Sequence, residues 1–434
     1  MVDRAGRAEQ AAPPRRGLAW GGGALALLLA PWVFDGGFAQ AVLTQIGVAI
    51  IACLAFNILL GQGGLLSFGH AVYSGAGSFM TVHALNLAAA GAWPPAVSLL
   101  PLLGGLAALA LALPLGYLST RRSGTAFAMI TLGLGELVWA LALMLPEFSG
   151  GEAGVAANRV VGAQPLGISF GPAIELYYLV AGYTLACAVL MHAFTRTALG
   201  RLLEATREQP ARVGFIGYDA RQLRFLAFLV SAFFMGVAGG LAALDFERVT
   251  AEALGTPRSA NLLLFTVLGG SRSFFGPVIG AVLMVLAATL LSELGRAWLL
   301  YLGLAFIAMV MHAPGGVAGV VQANLRVAAA GLFARLLRPY ALLLAAAAPL
   351  GLTLAALLET AYARHADSGQ AAPAAIGPTT WLLLLLLLPG LAAFEAARRR
   401  FVRAWAAVQE AMTAGCGGDG DDDDARGRPG EGRR

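Results

Sequence analysis

The run Ala39-Gln40-Ala41-Val42-Leu43-Thr44-Gln45-Ile46-Gly47-Val48-Ala49-Ile50-Ile51-Ala52-Cys53-Leu54-Ala55-Phe56-Asn57-Ile58-Leu59-Leu60 contains no charged side chain. As a helix rising about 1.5 Å per residue it measures about 33 Å, enough to cross a hydrocarbon core of about 30 Å. Runs of the same kind recur on both sides of it. Apolar windows bounded by turns or charges predict segments at 18–34, 39–60, 67–89, 95–119, 124–145, 172–194, 223–244, 259–270, 274–291 and 298–312, then two more at 340–358 and 380–394. The expected fold class is therefore an all-α polytopic membrane bundle of about ten segments with two extra C-terminal apolar segments. The window at 259–270 is too short to span comfortably and reads as a broken or tilted element.

Composition points the same way. Of 434 residues, 58% are hydrophobic and 12% charged, against about 25% charged in soluble domains; mean hydropathy is +0.74. All 29 basic residues are arginine. Without lysine there is no P-loop lysine and no Schiff-base lysine, so the chain cannot hydrolyse ATP through a Walker A site of its own. Cys53, Cys187 and Cys416 lack the spacing of a disulfide frame or a zinc site and read as reduced and structural. The net charge of +5 would suit a nucleic-acid partner, but the arginines lie in short loops beside apolar runs, where orientation in a membrane accounts for them.

With the N-terminal tail inside and the segments alternating, 24 of the 29 arginines fall on the inside, leaving Arg159, Arg248, Arg258, Arg296 and Arg364 outside. That asymmetry predicts both termini on the cytoplasmic side of the membrane. Arg15 and Arg16 precede an apolar stretch as in a secretory signal, yet a second long run follows at once and no small-residue cleavage site is visible, so an uncleaved first helix is expected. The domain organisation expected is a tail at 1–17, a membrane domain at 18–322 containing a charged loop at 196–221, two additional apolar segments at 323–394, and a tail at 395–434 that is Arg-rich, then acidic and disordered.

The densest polar signal directly follows the first run: Asn57, then Gly61-Gln62-Gly63-Gly64-Leu-Leu-Ser67-Phe68-Gly69-His70-Ala71. Glycines let the backbone leave helical geometry, while Gln62, Ser67 and His70 can satisfy freed carbonyls or line a wet path. A tight turn followed by a closely packed helix is the other reading. Gly269-Gly270-x-x-Ser273-Phe274 partly echoes Gly63-Gly64-x-x-Ser67-Phe68, as a parallel duplication would. Glu136, five residues after Thr131, is the one carboxylate expected well inside a segment, facing either a path or a neighbouring helix. Gly236-x-x-x-Gly240 and Gly276-x-x-x-Gly280 suit close helix contact. In the charged loop, Leu199, Leu202, Leu203 and Thr206 recur at helical spacing beside Arg201, Glu204 and Arg207, as in an amphipathic helix that docks on something or lies on the membrane surface. Ser149-Gly150-Gly151-Glu152-Ala153-Gly154-Val155 opens the longest outer connection.

Taken in order, these motifs resemble the permease subunits of branched-chain amino-acid ABC importers of the LivM type, over roughly 39–316. Asn57 to Ala71 is similar to the family's N-x-x-x-G-Q-x-G-x-x-S-F-G-H/Q-A signature, and Thr125 to Glu136 to the helix after it. Ser149 to Val155 is similar to the T-G-G-x-x-G-I loop, and Arg196 to Gly217 to the coupling loop. The resemblance implies a membrane subunit paired with a second permease, two cytoplasmic ABC ATPases that hold ATP and Mg, and an external solute-binding protein, with no cofactor on this chain. It would place Asn57, Gln62, Ser67, His70, Thr131 and Glu136 along the translocation path. Gly200, Arg201, Glu204, Ala205, Arg207, Glu208 and Gly217 would form the ATPase coupling loop, and Ser149, Gly150, Gly151 and Gly154 would face the binding protein. Glu152-Ala153 stands where the family usually has Pro-Asn, and Glu208-Gln209-Pro210 where an acidic-x-acidic pattern is common. Urea and short amides are carried by similar permeases. An ion-coupled transporter or channel would call for several charges inside spans, where Glu136 stands nearly alone, and a membrane enzyme would call for clustered His, Asp, Glu or Cys, whereas the five histidines are scattered.

Overall fold

Helices form where the apolar runs predict them, and the breaks fall at glycine, proline or polar clusters. The computed structural model describes residues 14–34, 36–91, 96–161, 169–294, 298–313, 315–367 and 378–417. Arg4, Arg7, Arg296 and the acidic run at 421–424, which enter the charge count and the expected tail, lie outside the described residues. In chain order the helices are α1 (Pro14–Val33), α2 (Gly37–Asn57), α3 (Ala71–Ala89), α4 (Leu100–Ser119), α5 (Thr125–Met144), α6 (Ala173–Arg196), α7 (Ala198–Glu208), α8 (Pro210–Phe215), α9 (Ala220–Phe246), α10 (Thr256–Gly269), α11 (Gly276–Leu294), α12 (Trp298–His312), α13 (Gly316–Ala329), α14 (Ala334–Asp367) and α15 (Pro378–Gly417). Among the described residues, six helices are long and apolar enough to cross a membrane.

Two compact units emerge: Met1–Thr289 with Met309–Ala318, and Leu290–Ala308 with Gly319–Arg434. In the first, α9 is the axis. It packs against α2, α3 and α4, and every residue from Met235 to Leu244 is buried. A helix can be buried all round only if neighbours approach its backbone. Gly236, Gly239 and Gly240 allow this: a Cβ at Gly236 would stand 2.6 Å from the Gly104 carbonyl of α4, and one at Gly240 would stand 2.8 Å from Pro101. The expected small-residue contact at Gly236 and Gly240 is thus a three-helix crossing of α3, α4 and α9. Gly276 and Gly280 play the same part between α11 and the end of α10.

Three local outcomes differ from the windows. Helix α3 starts at Ala71 rather than near Ser67: Gly64, at a left-handed φ of 62°, turns the chain, and the stretch up to His70 is held outside the helix by contacts to α5, where Phe68 N–H bonds Thr131 Oγ1. The amphipathic loop is two helices, α7 and α8, because Pro210 cannot continue α7 and sits instead at the first position of α8. A helix at 316–329, absent from the windows, follows α12. Within the second unit, α14 pairs with α15, with Val327, Leu336 and Val408 buried together and the Tyr340 ring tilted at 59° to that of Phe401, 4.8 Å away.

Candidate translocation path and coupling surface

Helix α2 ends in a single π-turn, Ile58–Gln62, and the next eight residues re-enter the bundle before α3 begins. This entry is fixed from three sides. Phe68 N–H donates to Thr131 Oγ1 at 3.3 Å, and Thr131 in turn donates to the Ala128 carbonyl at 2.9 Å. Gly69 lies flat on α5, where a Cβ would collide with the Thr131 carbonyl. Ala71 N–H donates to Ser259 Oγ of α10 at 2.9 Å. Ser231 donates its single hydroxyl proton to the Ala55 carbonyl at 2.5 Å, so the 2.8 Å bond between Ser231 Oγ and His70 Nε2 must be donated by the imidazole. His70 is fully buried among Phe56, Tyr73 and Phe228. It is a packing post, with its Nδ1 unpartnered, as are Asn57 Oδ1 and Ser67 Oγ nearby.

The depth of this junction follows from helix rise. Ser231 lies about 11 residues into α9 and Glu136 about 11 into α5, roughly 16 Å from the end of the bundle where both helices begin. Half-helix α10, 14 residues or about 21 Å long, starts beside this level and returns to the same end. The short window at 259–270 is a single continuous half-length helix, reached from the far end by a descending stretch at 247–255.

At the end where α2 stops, α7 lies against the re-entrant turn. Gly200, Leu203 and Thr206 face inward; Leu203 Cδ1 approaches Gly63, and the stem of Arg207 crosses Gly64, where a Cβ would stand 2.8 Å from Arg207 Cγ. Arg207 Nη1 donates to the Gly61 carbonyl. Arg201, Glu204, Ala205 and Glu208 point outward. Beyond the Pro210 break, Val213 tucks in while Phe215 (91% exposed), Ile216 and Tyr218 project, and Gly217 closes the tip at φ 90°. Gln62 is half-buried at this same end.

At the opposite end, Ser149-Gly150-Gly151 forms a tight turn in which Gly151 N–H donates to Ser149 Oγ at 3.1 Å, and Gly150, Gly151 and Gly154 all have positive φ. The loop continues into a two-residue strand, β1 (Val155–Ala156), antiparallel to β2 (Arg248–Val249), with Val155 opposite Val249. Arg159 pins it: the guanidinium donates to the carbonyls of Phe170, Gly171 and Leu244 at 2.8, 3.0 and 3.2 Å, capping the C-terminus of α9, and lies 3.8 Å from Glu247. Arg159→Met keeps the stem and loses the fork. It is expected to destabilise this loop by about 2 kcal/mol, measured as faster amide exchange at 154–159 and 244–249 with exchange in α2 and α4 unchanged.

Between this loop and the mid-depth junction lies a cavity of about 920 Å³ whose lining includes Glu136, Trp139, Phe246, Thr256, Arg258 and Asn261. Thr256 Oγ1 donates to Glu136 Oε1. A neighbouring cavity of about 310 Å³ shares Phe246, Arg258 and Asn261. Of the six path candidates only Glu136 lines these spaces. Ser67 and Thr131 border a small void, Asn57 and His70 are in the packed core, and Gln62 is at the α7 end. Arg258, Thr256 and Asn261 were missed from sequence, and the arginine count assigned Arg258 to an outer loop. Its one legible signal was its place at the start of a segment too short to span.

A re-entrant helical bundle, with a charged two-helix loop bonded to its entry turn at one end and a pinned glycine loop at the other, is the build of a multi-pass membrane transport permease. The chain belongs to the family described as branched-chain amino acid transport system / permease component, whose model matches residues 38–313. It is 29% identical over 327 residues to the high-affinity branched-chain amino acid transport system permease protein LivM of Escherichia coli K12, covering 70% of this chain and 75% of that one. To LivM of Salmonella typhimurium LT2 it is 28% identical over 306 residues, 66% of this chain and 71% of that one. A probable branched-chain amino acid transport permease protein LivH of Methanocaldococcus jannaschii shares 28% identity over 134 residues, 29% of this chain and 42% of that one. No solved structure matches the chain.

Proposed function

We propose that this chain is the permease subunit of an ATP-driven importer, moving branched-chain amino acids delivered by an external solute-binding protein across a bacterial inner membrane. The observation that carries this reading is the bond from Arg207 of α7 to Gly61: the helix best placed to meet a cytoplasmic partner is tied directly to the turn that enters the bundle. The exposed tip at Phe215, Ile216 and Tyr218 would dock on one of two ATPases, which hold ATP and Mg. A second permease would cover the open side of the cavity, and the pinned Ser149 to Gly154 loop would receive the binding protein. ATP-driven closure then biases two discrete packings of the bundle, and transport is the resulting shift in population. The excess of arginine in the loops on the α7 side supports placing both termini in the cytoplasm.

The test is uptake of labelled leucine and labelled urea into vesicles holding this chain with its ATPases, partner permease and binding protein. Leucine uptake that requires ATP is the expected result. Urea uptake instead would reassign the solute, and uptake driven by an ion gradient without ATP would overturn the importer reading.

A further inference from the structure

The larger cavity has an unusual charge pattern for its depth. Glu136 lies roughly 16 Å into the bundle along α5. Arg258 lies in the first turn of α10, adjacent to Ser259, which holds the start of α3 at the level of Ser231. Both line the same cavity. The two do not form an ion pair: the Glu136 carboxylate is engaged on one oxygen by Thr256, and the Arg258 guanidinium has no hydrogen bond or ion pair among the described residues. Glu136 is exposed to the cavity and Arg258 is half-buried in its wall, so two opposite charges at mid-depth face the same space and are available to a ligand that carries both signs.

We propose that Arg258 and Glu136 are the two poles of a recognition site for a zwitterionic amino acid, Arg258 taking the carboxylate and Glu136 the ammonium group. The site rests on the importer reading above and names how its solute is held. A guanidinium offers a planar fork that matches a carboxylate with two parallel hydrogen bonds. Glu136 Oε2 has no hydrogen-bond partner among the described residues and can accept from an ammonium, while Thr256 holds the other oxygen. Trp139, Ala242, Ala243, Phe246 and Val249 give an apolar wall for an aliphatic side chain, and the lining also carries Arg248 and Glu252 from the outer stretch at 247–255. At about 920 Å³ the space is within the range of small-molecule sites. A neutral solute such as urea would leave both charges uncompensated, and a plain carboxylic acid or amine would leave one.

The experiment measures binding to the assembled transporter without its binding protein, by saturation-transfer NMR, using leucine, leucinol (no carboxylate) and 4-methylpentanoate (no ammonium). Wild type is expected to bind leucine in preference to both analogues. Arg258→Gln is expected to weaken leucine about tenfold and to erase the preference over leucinol alone. Glu136→Gln is expected to erase the preference over 4-methylpentanoate alone. Arg258→Lys, which keeps charge and stem, is expected to weaken leucine by about threefold and stands in if the Gln variant does not fold. Variants are compared with wild type only where their thermal melting matches it. Leucine binding and analogue preference unchanged in both Gln variants, in a transporter whose vesicles do take up leucine, would overturn this site and leave the importer reading standing. Vesicles of the wild type that take up urea and no leucine would reassign the solute and remove the amino-acid site with it, whereas uptake driven by an ion gradient without ATP would overturn the importer reading itself.

Discussion

Arg207→Ala is expected to leave the transporter assembled and hydrolysing ATP, yet lower the leucine moved per ATP by about tenfold, the scale of a coupling free energy between two sites. Arg207 touches the re-entrant turn in two ways. Its guanidinium holds the Gly61 carbonyl, freed from regular helix bonding by the π-turn, and its stem covers Gly64 at the position of left-handed φ. Leu203 adds a contact to Gly63, but an apolar contact can slide where a hydrogen bond to a fixed carbonyl transmits displacement. Alanine removes the bond and the stem without disturbing Leu203 and Thr206, which keep α7 seated. Lysine should recover part of the coupling, since it can donate to Gly61 but lacks the fork. Phe215→Asp acts elsewhere: it charges the exposed tip and is expected to abolish co-purification of the ATPases with uptake lost in consequence. The ratio of leucine delivered to ATP hydrolysed in vesicles separates the two, and an unchanged ratio in Arg207→Ala would remove the latch from the mechanism.

The same residues show what a sequence can and cannot reveal here. Helix positions were legible because the solvent sets them: a run such as 39–60 has no stable place except across a membrane. The weakness of 259–270 as a span was legible for the same reason, and it marked the half-helix that carries Arg258. The roles inside the signature were not. Asn57, Ser67 and His70 are polar residues in a membrane segment, which suggests a path, but His70 is claimed by Ser231, 161 positions away, and no local pattern encodes that pairing. Arg258 was hidden by the rule that located its neighbours, since positive charge next to an apolar window is assigned to a loop. The descent of 247–255 to mid-depth is what places it inside, and that descent depends on Leu254 packing against Gly75. The amphipathic period of α7 was readable, whereas its anchoring through Arg207 required knowing that the Gly61 carbonyl was free.

Gly236→Val should be among the most damaging single substitutions in the bundle, and Gly133→Ala among the most benign, although both replace a glycine within a helix of the same chain. At Gly236 three backbones meet. A Cβ there would collide with the Ala108 methyl and stand 2.6 Å from the Gly104 carbonyl, while a Cβ at Gly104 would stand 2.8 Å from the Gly77 carbonyl and 3.1 Å from that of Gly236 itself. None of these neighbours is the tip of a flexible side chain, so relief requires α3, α4 and α9 to separate, and close contact is what holds helices together where lipid removes the hydrophobic drive between them. The cost should reach or exceed the upper part of the about 1–3 kcal/mol range for overpacking, a large share of a typical total stability. Gly133 faces open space with nothing within 4 Å, and alanine there should be neutral or stabilising by up to about 1 kcal/mol through helix propensity. Melting of the purified chain in detergent, followed by fluorescence-detected size exclusion, reads both. A Gly236→Val protein that melts with wild type would mean that the three-helix crossing is not where the bundle derives its stability, and the burial of α9 from Met235 to Leu244 would then need another cause.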